Sequence, residues 1–219
     1  MWLKKAPHAL CAYVLKKTTV LLILCFFTST TYSQNLDYQI LKTLNAGEYP
    51  AWDNAMRKVS DAVYIIGPTF PVAITLHGYF SKDKTLLWNG YKSAISIVAA
   101  MGISTALKYS VDRQRPYDKY PGDIIPRGKA TTASFPSGHT TSAFATATSL
   151  SLTYRKWYVT VPAYMYACLA GYSRMRLGMH YPTDVLAGAI IGTGTTLLTW
   201  HVVKKISQRK NKRLPPTEE

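Results

Sequence analysis

The chain alternates between long uncharged stretches and short clusters of charge. It begins with Lys4, Lys5, Lys16 and Lys17, followed by an apolar run at residues 20–27 and small polar residues at 28–33. That order reads as a secretory signal peptide cleaved near Ser33 or Gln34, with an uncleaved signal anchor as the alternative. In either case the residues after it are delivered to the outside. Residues 35–58 place Leu36, Ile40, Leu41 and Leu44 at helical spacing among polar neighbours, which predicts a helix lying at the membrane interface. Residues 62–81 carry no Asp, Glu, Lys or Arg and form a first core span, kinked by Pro68 and Pro71. Residues 93–107 are again uncharged and short for a span of about 20 residues. The flanking Lys92 and Lys108 can reach the headgroups.

A long irregular segment follows at 112–135, punctuated by Pro116, Pro121, Gly122 and Pro126, a length usual for functional loops. Residues 137–154 are rich in Ala, Ser and Thr, small side chains that let membrane helices approach closely. Residues 157–173 are uncharged with Trp157 and Tyr158 at one edge, and residues 185–203 contain only His201 as an ionisable group. The pattern predicts an all-α fold: a helical bundle of about five to six membrane-spanning helices over 34–203. A signal segment at 1–33 precedes it and a basic cytoplasmic tail at 204–219 follows it.

Composition narrows the partners. The net charge is +15, yet only 17% of the 219 residues are charged, so the basic excess is confined to a few places. A nucleic-acid binder would carry Lys and Arg along a face, so no nucleic-acid partner is expected. Cys11, Cys25 and Cys168 are odd in number and far apart, which supports neither a disulfide framework nor a thiolate metal site.

Charge also orients the chain. If it starts outside, the basic turns at 82–92 and 155–156 and the tail from Lys204 share one side, the cytoplasmic side by the positive-inside rule. Residues 108–135 and 173–181 then meet at the opposite face. Three polar clusters are thereby collected: Lys108, Arg113 and Arg115; Ser134, Ser137, Gly138 and His139; Arg174, His180 and Asp184. A His four residues before an Asp can share a helical face, so the carboxylate can accept the proton of one ring nitrogen and leave the other free to attack. Arg174 offers a fork of donors for an oxyanion. Taken singly, each residue also has a structural alternative: His139 as a helix-start residue bonded to a carbonyl, Lys108 as a snorkelling helix end.

Together the clusters are specific. K(x6)RP at 108–116, PSGH at 136–139 and SR(x5)H(x3)D at 173–184 resemble the three-part signature of the type 2 phosphatidic acid phosphatase superfamily, which also includes class A acid phosphatases and vanadium haloperoxidases. The resemblance implies the membrane lipid-phosphatase branch, with the active site at the periplasmic helix ends. It implies that His180 attacks phosphorus to give a phosphohistidine, that Asp184 orients it, and that His139 protonates the leaving group. Lys108, Arg115, Ser137, Gly138 and Arg174 would hold the phosphate, with no metal or other cofactor. Independently, phosphoryl transfer needs several donors around the equatorial oxygens, and a helix start after Ser137 and Gly138 favours an anion. Arg113, Lys119, Arg127, Lys129 and Arg176 are assigned to headgroup attraction or solvation.

The expected substrate is a lipid phosphomonoester or diphosphate: undecaprenyl diphosphate, a lipid A phosphate, phosphatidylglycerol phosphate or phosphatidic acid. The alternatives are a soluble periplasmic acid phosphatase, a haloperoxidase, and a non-enzymatic binder of anionic lipid headgroups.

Overall fold

The computed structural model describes residues 30–211; most of the expected signal segment and the end of the tail lie outside them. The described residues form seven helices in order: α1 Thr30–Asn45, α2 Pro50–Phe80, α3 Lys84–Val111, α4 Pro116–Lys119, α5 Gly138–Tyr154, α6 Trp157–Arg176 and α7 Pro182–Asn211. Among the described residues there is no strand, as the all-α expectation requires. The chain divides into residues 1–40 and 41–219, and the site described below belongs wholly to the second unit.

Two boundaries differ from the sequence expectation. The single interfacial helix expected over 35–58 is two helices, separated at 46–49 where Gly47 takes a φ of +71° that glycine adopts without a steric cost. Pro50 then opens α2, a first-turn position where its missing N–H costs nothing. At the other end, the expected tail from Lys204 begins inside α7, which runs on to Asn211.

Among the described residues, three stretches are long and apolar enough to cross a membrane: Pro50–Phe80, Lys84–Lys119 and Pro182–Ile206. The Ser- and Thr-rich α5 is shorter, at 17 residues, and is enclosed by other helices. It packs against α2, α3, α6 and α7, and Thr140, Thr141, Ser142, Thr146, Thr148 and Ser149 are all buried. A helix enclosed by others needs no apolar surface for lipid. Its hydroxyls also bond within the helix: Thr141 to the Ser137 carbonyl, Thr146 to Ser142 and Thr148 to Phe144, each at 2.7–2.9 Å.

Side-chain size sets how closely α5 and α7 approach. A Cβ on Gly188 would lie 2.7 Å from the Ser137 carbonyl oxygen, and one on Gly192 would collide with the Thr141 carbonyl. These glycines, one helical turn apart, let α7 lie directly on the α5 backbone. Large apolar side chains instead face outward, among them Ile65, Val72, Phe80, Val98, Leu186, Ile190 and Leu198, as a lipid-facing surface requires.

Candidate active site

The first cluster grows from the end of α3. Lys108 sits in its last turn, and the helix stops at Val111 as Asp112 turns into the left-handed region. The chain continues through Arg113 to Arg115, an extended residue ahead of Pro116, as a residue preceding proline prefers. The far end of the loop folds back, with the Ser134 amide donating to the Arg113 carbonyl at 2.8 Å. Lys108 Nζ donates to the Ala133 carbonyl at 2.7 Å. Arg115 is buried and donates from Nε to the Thr132 carbonyl and from Nη1 to the Met179 carbonyl, at 2.7 and 2.8 Å. These bonds fix both cations before any substrate arrives.

The second cluster begins α5. Ser137 caps it: its hydroxyl accepts from the Thr140 hydroxyl at 2.9 Å, and its own amide donates to the Asp184 carbonyl at 3.0 Å. Gly138 and His139 are the first helical residues, so their amides have no intrahelical acceptor. The Nδ1 atom of His139 lies 3.4 Å from the hydroxyl of Tyr64 on α2.

The third cluster joins α6 to α7. Arg174 is buried near the end of α6; Nη1 donates to the Ser60 hydroxyl at 2.7 Å, while Nε is buried without a partner. After Leu177 the chain turns at Gly178, whose φ is +71°. That turn delivers His180, 2% exposed, just before α7 begins at Pro182. The sequence expectation put His180 and Asp184 on one helical face. Instead His180 lies outside the helix, and the first turn of α7 brings Asp184 back to it.

Asp184 is fully buried and its carboxylate is shared. Oδ1 accepts from Arg113 Nη1 at 2.6 Å; Oδ2 accepts from the Ser134 hydroxyl at 2.5 Å and the Tyr181 amide at 2.9 Å. The Tyr181 contact is half of a capping box, a third-position carboxylate reaching back to the residue before the helix. Oδ2 also faces His180 Nδ1 at 3.6 Å, too long for a hydrogen bond, and Nδ1 has no other partner. The other ring nitrogen, Nε2, lies 3.5 Å from Arg115 Nη1. Burial pushes the His180 pKa from 6.5 down to about 4; Asp184 opposes this, and the charges of Arg174 and Arg115 add to it. The imidazole is therefore neutral at pH 7, with a lone pair available.

The structure brings Lys108, Arg115, Ser137, Gly138, His139, Arg174, His180 and Asp184 together, and gives specific partners to three arginines expected at headgroups or in solvent. Arg113 pairs with Asp184 and stacks over the Tyr181 ring, its guanidinium carbon 3.9 Å from the ring centroid. Arg127 and Arg176 both pair with Asp53 at 2.8 and 2.7 Å. Arg176 also caps the carbonyls of Leu44, Ala46 and Gly47. The one sequence signal for Arg113 was its position two residues before Arg115 in an extended segment. Nothing in the sequence pointed to Ser60 or Tyr64.

Residues 90–208 match the PAP2 superfamily. An undecaprenyl-diphosphatase of Sulfolobus acidocaldarius is 32% identical over 124 residues, 54% of this chain and 60% of that protein. A lipid A 1-phosphatase of Porphyromonas gingivalis is 34% identical over 124 residues, 54% of this chain and 25% of that protein. The chain thus spans less than two thirds of the length of either. A transmembrane PAP2-type phosphatidylglycerolphosphate phosphatase from Bacillus subtilis superposes with a TM-score of 0.70 at 26% identity, covering 88% of this chain and 96% of that one.

Proposed function

The chain belongs to the PAP2 superfamily, and from that premise we propose that it is a membrane phosphatase cleaving a lipid phosphomonoester or diphosphate through a phosphohistidine on His180. The observation that carries this is the setting of His180: a buried neutral imidazole with Nε2 beside Arg115 and Nδ1 facing a carboxylate held by three donors. Lys108, Arg115, the unspent Nε of Arg174 and the free amides of Gly138 and His139 surround the phosphoryl oxygens with donors already in place. Nε2 of His180 attacks phosphorus as the bond to the leaving oxygen breaks, and Asp184 stabilises the positive charge that develops on the ring. His139 gives a proton to the departing oxygen, then takes one from the water that hydrolyses the phosphohistidine. Asp184, Lys108, Arg115, Ser137, Gly138 and Arg174 serve this chemistry by holding and orienting.

The outward apolar side chains and three candidate spans support a substrate presented from the bilayer. The names of the relatives support undecaprenyl diphosphate or a lipid A phosphate, with phosphatidylglycerol phosphate and phosphatidic acid also in the class. Lys82, Lys84, Arg155, Lys156, Lys204 and Lys205 occupy the helix ends opposite the site, which supports an inner-membrane protein with its site facing the periplasm.

The test is phosphate release by detergent-purified protein from these four lipids, with wild type and His180→Ala side by side. Release from at least one lipid by wild type, lost in the variant together with the acid-labile phosphoenzyme, is expected. Undiminished release by His180→Ala overturns the mechanism, and no release from any of the lipids by wild type overturns the activity.

A further inference from the structure

Helix α2 before residue 90 lies outside the stretch that matches the family, yet it reaches the site twice. Ser60 accepts from Arg174 Nη1 at 2.7 Å. One turn later, Tyr64 places its hydroxyl 3.4 Å from His139 Nδ1, and the two rings meet edge to face at 61° with centroids 4.3 Å apart. His139 in turn lies close enough to Lys108, Arg115 and Arg174 to feel their charges. Tyr64 therefore touches the imidazole that faces the site, and it does so at one defined nitrogen.

We propose that Tyr64 is a positioning residue for the leaving-group proton, its hydroxyl oxygen accepting the Nδ1 proton of the His139 imidazolium so that Nε2 is the nitrogen that donates. The proposal rests on the phosphatase reading above.

The chemistry follows from the two-nitrogen nature of the ring. An imidazolium carries a proton on each nitrogen, and a phosphate dianion among Lys108, Arg115 and Arg174 supplies the negative charge that favours this form. With Nδ1–H tied to the Tyr64 oxygen, the proton on Nε2 is the one free to leave. As His180 Nε2 bonds to phosphorus, the electrons of the breaking P–O bond pass to the bridging oxygen, which takes the Nε2 proton of His139. His139 is left neutral, still bonded through Nδ1–H to Tyr64, with an Nε2 lone pair directed back at the site. That lone pair is the base that deprotonates water for the second step. The edge-to-face contact limits ring rotation that would exchange the two nitrogens.

A tyrosine that only packs against the ring would do none of this, and Tyr64→Phe separates the two roles because it keeps the ring and removes the oxygen. The measurement is kcat/KM of wild type, Tyr64→Phe, His139→Ala and the double variant on alkyl, phenyl and p-nitrophenyl phosphates and one lipid phosphate. Alkyl and lipid leaving groups need the proton most, and p-nitrophenolate departs well as an anion. The expected result is a loss of about tenfold on alkyl and lipid phosphates, shrinking steadily as the leaving group improves. Tyr64→Phe is expected to add no further loss in the His139→Ala background, with the thermal midpoint in detergent unchanged throughout. A loss that is uniform across the series, absent, or fully additive with His139→Ala overturns the proposal alone. A wild type inactive on every substrate overturns the phosphatase reading and the proposal together.

Discussion

Arg113 holds Nη1 2.6 Å from Oδ1 of Asp184, so the carboxylate facing His180 is anchored by a cation from a loop 71 residues earlier in the chain. Without that bond Asp184 would still accept from Ser134 and Tyr181, but through Oδ2 alone. Arg113→Ala is therefore expected to lower kcat by roughly 10- to 100-fold, the rate equivalent of about 1.5–3 kcal/mol for one hydrogen bond to a charged group. KM should change little, because Arg113 Nη1 is spent on Asp184 and Thr183. Steady-state kinetics on a lipid phosphate checks the split; a rise in KM at constant kcat would make Arg113 a substrate contact instead.

The close approach of α5 and α7 predicts a sharp size limit at Gly188. A Val there must displace the Ser137 carbonyl or the Thr140 side chain, and overpacking of this kind costs about 1–3 kcal/mol. The displacement falls on the strand of backbone that ties Ser137 to Asp184. Gly188→Val should lower the thermal midpoint in detergent and activity together. Gly194→Ala, where a Cβ meets nothing within 4 Å, should change neither.

The limits of the sequence are visible in particular residues. Lys108, Arg115, His139, Arg174, His180 and Asp184 were legible because their chemistry is written in short spacings, and the alternation of charged and uncharged stretches was enough to gather them at one end of the bundle. Arg113 and Arg176 were not separable in the same way. Both are arginines flanking a cluster, and only the packing assigns one to Asp184 and the other to Asp53. Ser60 and Tyr64 were invisible because α2 meets the site through tertiary contact, which leaves no local spacing to read. The break at 46–49 falls after Leu44, the last residue whose spacing defines the expected helix, so that periodicity does not locate it.

Burial of His180 has a pH signature. Its pKa is about 4 in the folded protein against 6.5 when unfolded, so between those values the unfolded chain binds the proton and the folded one does not. Stability from this group is complete above pH 6.5 and is lost as pH falls toward 4. Thermal midpoints in detergent without substrate should fall over that interval, and His180→Gln should fall less steeply than wild type. Parallel curves for the two proteins would show that the buried ring titrates normally.

Asp53 lies outside the three clusters, yet it holds the frame in which they meet. Its two carboxylate oxygens each take one arginine, Arg176 from the end of α6 and Arg127 from the long loop, and all three groups are buried or nearly so. The arginines also bond the Gly47 carbonyl between α1 and α2. Asp53→Ala would leave two cations without their carboxylate, and removing one partner of a buried ion pair costs about 3–5 kcal/mol. Because the chain leaves α6 at Arg176 and passes through the turn at Gly178 to His180, the loss should loosen the turn that presents the imidazole. A large drop in thermal midpoint is expected, with kcat falling only as far as the remaining folded protein is perturbed. An Arg176→Met, Asp53→Leu, Arg127→Met triple variant tests the cause, since it removes the charges as well as the partner and should recover much of the lost stability. If the triple variant is as unstable as Asp53→Ala, the defect lies in packing at Asp53 and not in uncompensated charge.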